Sequence, residues 1–158
     1  MTRIDHLAAR CRQPKGAWRI RASLTDPEAS ALAARLAHDG VAARVLDCEP
    51  IRDKEGLLQA VAEAFAFPNH FGSNWDALLD CLSDLHWLPA SGYVLIMLRV
   101  RHLETADPKS FNTFLEVCQE TAARWRGRKA FFKVVVSSTE APSREQRKPP
   151  TPRKPAAE

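Results

Sequence analysis

Residues 17–23 (AWRIRAS) alternate apolar and basic side chains through most of their length, the two-residue period of a short strand. A helix is predicted from Asp26, whose side chain can cap the first free amides. Pro27 suits the first helical position, and Gly40 is placed to end the helix. Val41 to Cys48 reads as a second strand. Asp53 is then an N-cap for a helix to about Phe67, with Leu57, Leu58, Val61, Ala62 and Phe65 as its apolar stripe. Pro68 and Gly72 mark a loop, and Asn74 caps a helix of about three turns, Trp75 to Leu85, with apolar Leu78, Leu79 and Leu82. Gly92 to Leu98 (GYVLIML) is almost wholly apolar, as a strand covered on both faces must be. Asp107 and Pro108 start a long helix to about Arg126, and Ala130 to Ser137 is β-branched and aromatic, a last strand.

The order β-α-β-α-α-β-α-β predicts an α/β fold with a mostly parallel sheet of three to four strands. Residues 1–16 carry no such pattern and are expected to be a flexible N-terminus. Residues 138–158 combine prolines and charges with no large apolar side chain, so they cannot offset their own ordering entropy and are expected to be a disordered tail.

The 158 residues are 45% hydrophobic and 27% charged, enough for one domain with one core. No apolar run approaches the roughly 20 residues of a membrane span, and no signal-peptide pattern precedes the first strand, so the expected location is the cytoplasm. Cys11, Cys48, Cys81 and Cys118 are widely spaced with no CxxC, and the five histidines form no HExxH. Reduced thiols, no metal and no cofactor are expected.

The net charge of +4 hides an uneven distribution. Residues 1–40 hold seven basic against four acidic side chains, residues 138–158 five against three, and residues 41–137 eleven against twelve. Between Lys54 and Arg99 there is no lysine or arginine, while Glu55, Glu63, Asp76, Asp80 and Asp84 all fall there. On a helix, Asp76, Asp80 and Asp84 at i, i+4 and i+8 form a column of carboxylates. Each like-charge pair opposes folding by roughly 0.2 to 0.5 kcal/mol. A favourable helix dipole explains Asp76 in the first turn, and a solvated face can explain the others. The alternative is a carboxylate edge suited to a positively charged cleft.

The stretch FPNHFGSNWDALLDCLSDL, with the helix before it and GYVLIML after it, resembles the barstar-like family, whose namesake is the intracellular inhibitor of the ribonuclease barnase. The shared pattern is P-x-x-[aromatic]-G-x-N-x-D-A-L-x-D-C-L-[ST], with coarser similarity from Val41 to Ser137. This divides the chain into a flexible N-terminus (1–16), a βα extension packed on the domain (17–40), a barstar-like domain (41–137) and the tail. The resemblance implies that the loop and helix plug a ribonuclease active site. It places Asp80 where a carboxylate replaces a substrate phosphate and Asp76 on its partner one turn earlier. Gly72 and Asn74 then shape the loop and helix start, Ser83 supplies a hydroxyl at the end of the face, and Glu120 matches an acidic contact on the later helix. Three positions depart from the family: His70 stands for a contacting tyrosine, Leu79 for an interface tryptophan and Arg124 for a second glutamate.

The resulting expectation is a stoichiometric inhibitor of the immunity-protein or antitoxin kind, whose partner is a small basic ribonuclease or toxin. It is expected to be a monomer before complex formation and not an enzyme. There is no GxSxG, P-loop or GxGxxG, and the best acid/base constellation is Asp76, Asp80 and His70. One alternative keeps the fold with a non-ribonuclease partner. Another is weak nucleic-acid binding through the basic tail or through Arg124, Arg126, Arg128 and Lys129.

Overall fold

Seven consecutive buried residues make Gly92–Leu98 (β3) an inner strand of the sheet, as the apolar run predicts. Val41–Asp47 (β2) pairs with it in parallel on one side, and Phe132–Val136 (β4) in parallel on the other. Arg19–Arg21 (β1) adds to β4, again in parallel, giving the strand order β1-β4-β3-β2. The protein is described from a computed structural model covering residues 2–69 and 71–139. The tail expected to be disordered lies outside the described residues from position 140 onward.

The sheet separates two apolar layers. On one face, Tyr93, Leu95, Met97, Phe132 and Val134 meet four helices: Lys54–Ala64 (α3), Trp75–Asp84 (α4), Val100–Ala106 (α5) and Pro108–Trp125 (α6). On the other, Val41, Val94, Ile96 and Val135 meet Arg3–Arg12 (α1) and Asp26–His38 (α2). The result is an α/β fold with helices on both faces of a four-stranded, all-parallel sheet. Gly92 opens β3 because a Cβ there would meet the Phe131 ring at 2.3 Å.

Several elements differ from the sequence reading. The N-terminus expected to be flexible contains α1, which begins with a Thr2/Asp5 capping box and buries Leu7, Ala8 and Cys11. Ion pairs from Arg3 to Glu28, Arg12 to Asp39 and Arg35 to Asp5 join α1 to α2 and its C-terminal end. Helix α2 is capped by Thr25 rather than Asp26, through a second capping box with Glu28. Asp26 instead accepts from Arg99 Nη1 at 2.7 Å. Helix α3 ends at Ala64, three residues short of the expected Phe67, because Ala66 takes a left-handed conformation (φ 53°). Helix α5 was not expected. Its seven residues carry only Val100 and Leu103 inward, too few to register as a helical period.

Arg99 ties these parts together. It sits at φ 53° between β3 and α5, is buried, and donates from Nε to Asp47 at 2.9 Å and from Nη1 to Asp26. Burial pushes the Asp47 carboxyl up. The Arg99 hydrogen bond, the Glu49 amide and the guanidinium charge outweigh it and hold Asp47 below its ordinary value.

Candidate protein-binding face

Helix α4 begins where the sequence predicts. Asn74 accepts from the Ala77 amide at 2.7 Å and donates to the Gly72 carbonyl at 3.2 Å, so one side chain fixes both the loop and the first turn. Ser73 between them is left-handed (φ 53°). The preceding loop rests on an aromatic cluster. Phe67 meets Phe71 edge-on at 5.0 Å and Trp87 at 6.0 Å, and Trp87 Nε1 donates to the Phe65 carbonyl at 2.9 Å.

The C-terminal end is held from outside the helix. Trp125 Nε1 donates to the Leu82 carbonyl at 2.8 Å and Arg128 Nη1 to the Ser83 carbonyl at 2.6 Å. These carbonyls would otherwise lack partners at the helix end. Leu85 closes the helix in a left-handed conformation, its amide bonded to Cys81. Leu78 and Leu82 are buried beneath. The outer edge of α4 is thus fixed at both ends before any partner arrives.

Asp76 and Asp80 stand exposed on that edge, with 79% of the Asp80 side chain accessible. Asp84 is also exposed, with His86 Nδ1 3.0 Å away. Glu120 is brought to the same face from α6 through Arg124, whose Nε lies 3.5 Å from Glu120 and whose Nη1 lies 3.8 Å from Asp80. Gly72 and Asn74 are exposed at the head of the face, and Leu79 is half-buried at its side. His70 lies outside the described residues.

Ser83 does not sit as expected. Its side chain is buried, and its hydroxyl has no hydrogen-bond partner. Cys81 is half-buried, and burial, followed by the charges of Asp80 and Asp84, raises its thiol above the ordinary range. It is therefore a poor nucleophile. Lys54, over the Trp75 ring at 5.6 Å, adds a cation that the sequence places outside the acidic segment. Of the four cations considered for nucleic-acid binding, Arg124 and Arg128 are committed to α4 and α6. Arg128 also stacks over Trp125 at 4.5 Å.

The family model described as Barstar (barnase inhibitor) matches residues 41–137, which span β2 to β4 and include the whole acidic face. The chain belongs to the barstar family. Barstar-family proteins are inhibitors rather than enzymes, and the family implies a ribonuclease as the class of partner. No curated protein matches the sequence. Among solved structures, an ORC2 protein of Aeropyrum pernix, described as ADPNP-ADP complexes, has a TM-score of 0.56 at 14% identity. That match covers 86% of this chain and 40% of the other, and it speaks to the fold alone. Relative to the barstar-family segment, α1, β1 and α2 are additions, supplying the fourth strand and a helical layer on the second face of the sheet. No helix among the described residues is long and apolar enough to cross a membrane.

Trp125 and Tyr93 are not among the residues read as functional from the sequence, and Arg128 is read there only as a nucleic-acid contact, not as a support of α4. Tyr93 donates to the Leu88 carbonyl at 2.7 Å just after α4. Their partners lie 5 to 45 positions away, and no local motif signals them.

Proposed function

We propose that this barstar-family protein is a stoichiometric inhibitor of a cationic ribonuclease, and that the Asp76–Asp80 edge of α4 enters the enzyme's phosphate-binding cleft. The exposure of Asp80 on a helix fixed at both ends carries this reading. A carboxylate in such a position stands in for a substrate phosphate among arginine and lysine side chains. Because the helix is already ordered, little conformational freedom is lost on association. The carboxylates of Asp76, Asp80, Asp84 and Glu120 steer a positive partner inward at a rate that falls with salt. Gly72 and Asn74 shape the loop that reaches the rim of the cleft, and Leu79 adjoins it; His70 is assigned to the same surface on the family resemblance alone. The inhibitor acts as a monomer in the cytoplasm, as an immunity protein or antitoxin against a small basic toxin.

The test is titration of small basic ribonucleases with the intact protein, with the stoichiometry read from residual activity. One-to-one inhibition is expected, weakened about 100-fold or more by Asp80→Ala, the scale seen when one member of a buried charge pair is truncated. Inhibition that survives Asp76→Ala and Asp80→Ala unchanged excludes this face.

A second reading keeps the face and changes the partner's class. The observation in its favour is Arg124 beside Asp80, which places a cation where a highly basic active site would meet repulsion. Capture from a lysate by the intact protein, compared with Asp80→Ala, separates the two: a basic ribonuclease lost from the second sample favours inhibition, and an acidic or neutral protein favours the alternative.

A further inference from the structure

Strand β1 extends the sheet past the helices that cover its neighbours. Below its inner face, between β1, α5 and the first half of α6, lies an open cleft of about 740 Å³. This is within the range of small-molecule sites. Arg19 and Arg21, two positions apart on the strand, stand on the same face with Cα atoms about 6.6 Å apart. Arg101 lines the cleft from α5. Phe111, Leu115 and Val136 contribute apolar lining.

Several arginines outside the cleft are neutralised. Arg3, Arg12, Arg35, Arg99 and Arg124 each pair with a carboxylate. Among the described residues, no carboxylate pairs with Arg19, Arg21 or Arg101, and Arg19 only approaches the Trp18 ring, at 5.6 Å. Among the described residues, Glu104 is the single carboxylate lining the cleft, and no ion pair joins it to these arginines. Arginine on an edge strand also deters edge-to-edge pairing. That role explains neither Arg101, which comes from a helix, nor an apolar lining beside three guanidiniums that no carboxylate among the described residues pairs with.

The geometry points to a binding site for a small organic phosphate, whose phosphate groups are gripped by Arg19, Arg21 and Arg101 and whose apolar portion rests on Phe111 and Leu115. Guanidinium forks match phosphate oxygens in pairs, and a diphosphate concentrates enough charge to engage more than one of them. The site is independent of the acidic face. Helix α6 presents Phe111, Asn112 and Leu115 to the cleft near its start, and Glu120 and Arg124 to α4 near its end.

The experiment is calorimetric titration of the full chain with ADP, inorganic pyrophosphate, adenosine and citrate. ADP is expected to saturate at one site, pyrophosphate to bind more weakly, and adenosine not to bind. The Arg19→Ala/Arg21→Ala double variant should lose at least about tenfold, from charge-assisted hydrogen bonds no longer made. Asp76→Ala/Asp80→Ala should bind ADP as the parent does, which separates this site from the inhibitory face. Glu104→Gln, which breaks no ion pair with these arginines, should tighten ADP binding about threefold by removing a like charge. The inference is overturned by the absence of saturable ADP binding at millimolar concentration or by undiminished binding in the folded double variant. It is equally overturned if citrate binds as tightly as pyrophosphate, or if Glu104→Gln binds ADP more weakly.

Discussion

The Arg124 guanidinium lies 3.8 Å from the Asp80 carboxylate, across the seam between α6 and α4. Both side chains are well exposed, 40% and 79%, so the pair contributes little to folding. It does offset part of the charge a partner would meet. Arg124→Ala should therefore change unfolding stability by less than about 0.5 kcal/mol. The same substitution should raise the association rate with a cationic partner about threefold to tenfold at low salt and steepen its salt dependence. Stopped-flow association at two ionic strengths measures both, and an unchanged rate would show that Arg124 does not shield Asp80.

Ser83 gives a prediction of opposite sign to that of a contact residue. Its hydroxyl is buried without a partner, whereas its carbonyl is held by Arg128. A buried polar group left unsatisfied opposes folding, so Ser83→Ala should be neutral or stabilising by up to about 1 kcal/mol. Inhibition should stay within about twofold of the parent, because the methyl group fills the same space. Chemical denaturation and a parallel titration test this. A loss of inhibition with stability preserved would mean that α6 moves aside and exposes Ser83 on binding.

The outcome at Ser83 shows where sequence reading stops. The caps at Asn74 and Asp107, the inner strand at Gly92–Leu98 and the carboxylate edge at Asp76 and Asp80 were all legible, because each depends on residues within a few positions. Ser83 is buried where side chains more than forty positions away bond the Leu82 and Ser83 carbonyls, and no local pattern carries that information. The acidic segment likewise looked free of cations, yet folding brings Arg124 and Lys54 to its borders. Helix α1 was a different kind of miss. Ile4, Leu7, Ala8 and Cys11 follow a helical period and the Thr2/Asp5 box marks its start, but the stripe is short and its burial depends on α2 and the sheet, which lie far along the chain.

Arg99 joins the N-terminal layer to the barstar-family domain through Asp26 and Asp47. Its side chain is only 7% exposed, while Asp26 and Asp47 remain 65% and 44% exposed. Arg99→Ala should therefore cost about 2 kcal/mol, below the range for a fully buried pair. Asp47 is held below its ordinary pKa of 3.8, so its share of this stability is complete above that value and is lost as pH falls through the lowered one. Unfolding curves from pH 7 to pH 2 should show the gap between parent and variant constant down to about pH 5 and narrowing below pH 4. A gap that widens in acid would contradict the role given to Asp47.

Lys133 is buried on the sheet face covered by α1, with its amine 3.5 Å from the Arg10 carbonyl and the Cys11 thiol nearby. Burial lowers its pKa below 10.5, against an opposing contribution from Cys11 and a further lowering by the Arg10 charge. The unfolded chain therefore binds more protons than the folded one between the lowered value and 10.5. Stability from this group rises with pH across that window, and its full penalty applies at neutral pH. Lys133→Met keeps the volume and removes the charge, and the Arg10 carbonyl still accepts from the Gln13 amide at 3.2 Å. The variant should be more stable than the parent by about 1 kcal/mol at pH 7, with the advantage shrinking toward pH 10. Burial also pushes the Cys11 thiol up to about 11, and because its ionisation on unfolding is common to parent and variant it cancels in the difference between them. Denaturant titrations of both proteins at pH 7, 8.5 and 10 read the difference directly. An advantage that does not change with pH would show that the amine is not desolvated, and a less stable variant would show that its bond to Arg10 outweighs the cost of burying the charge.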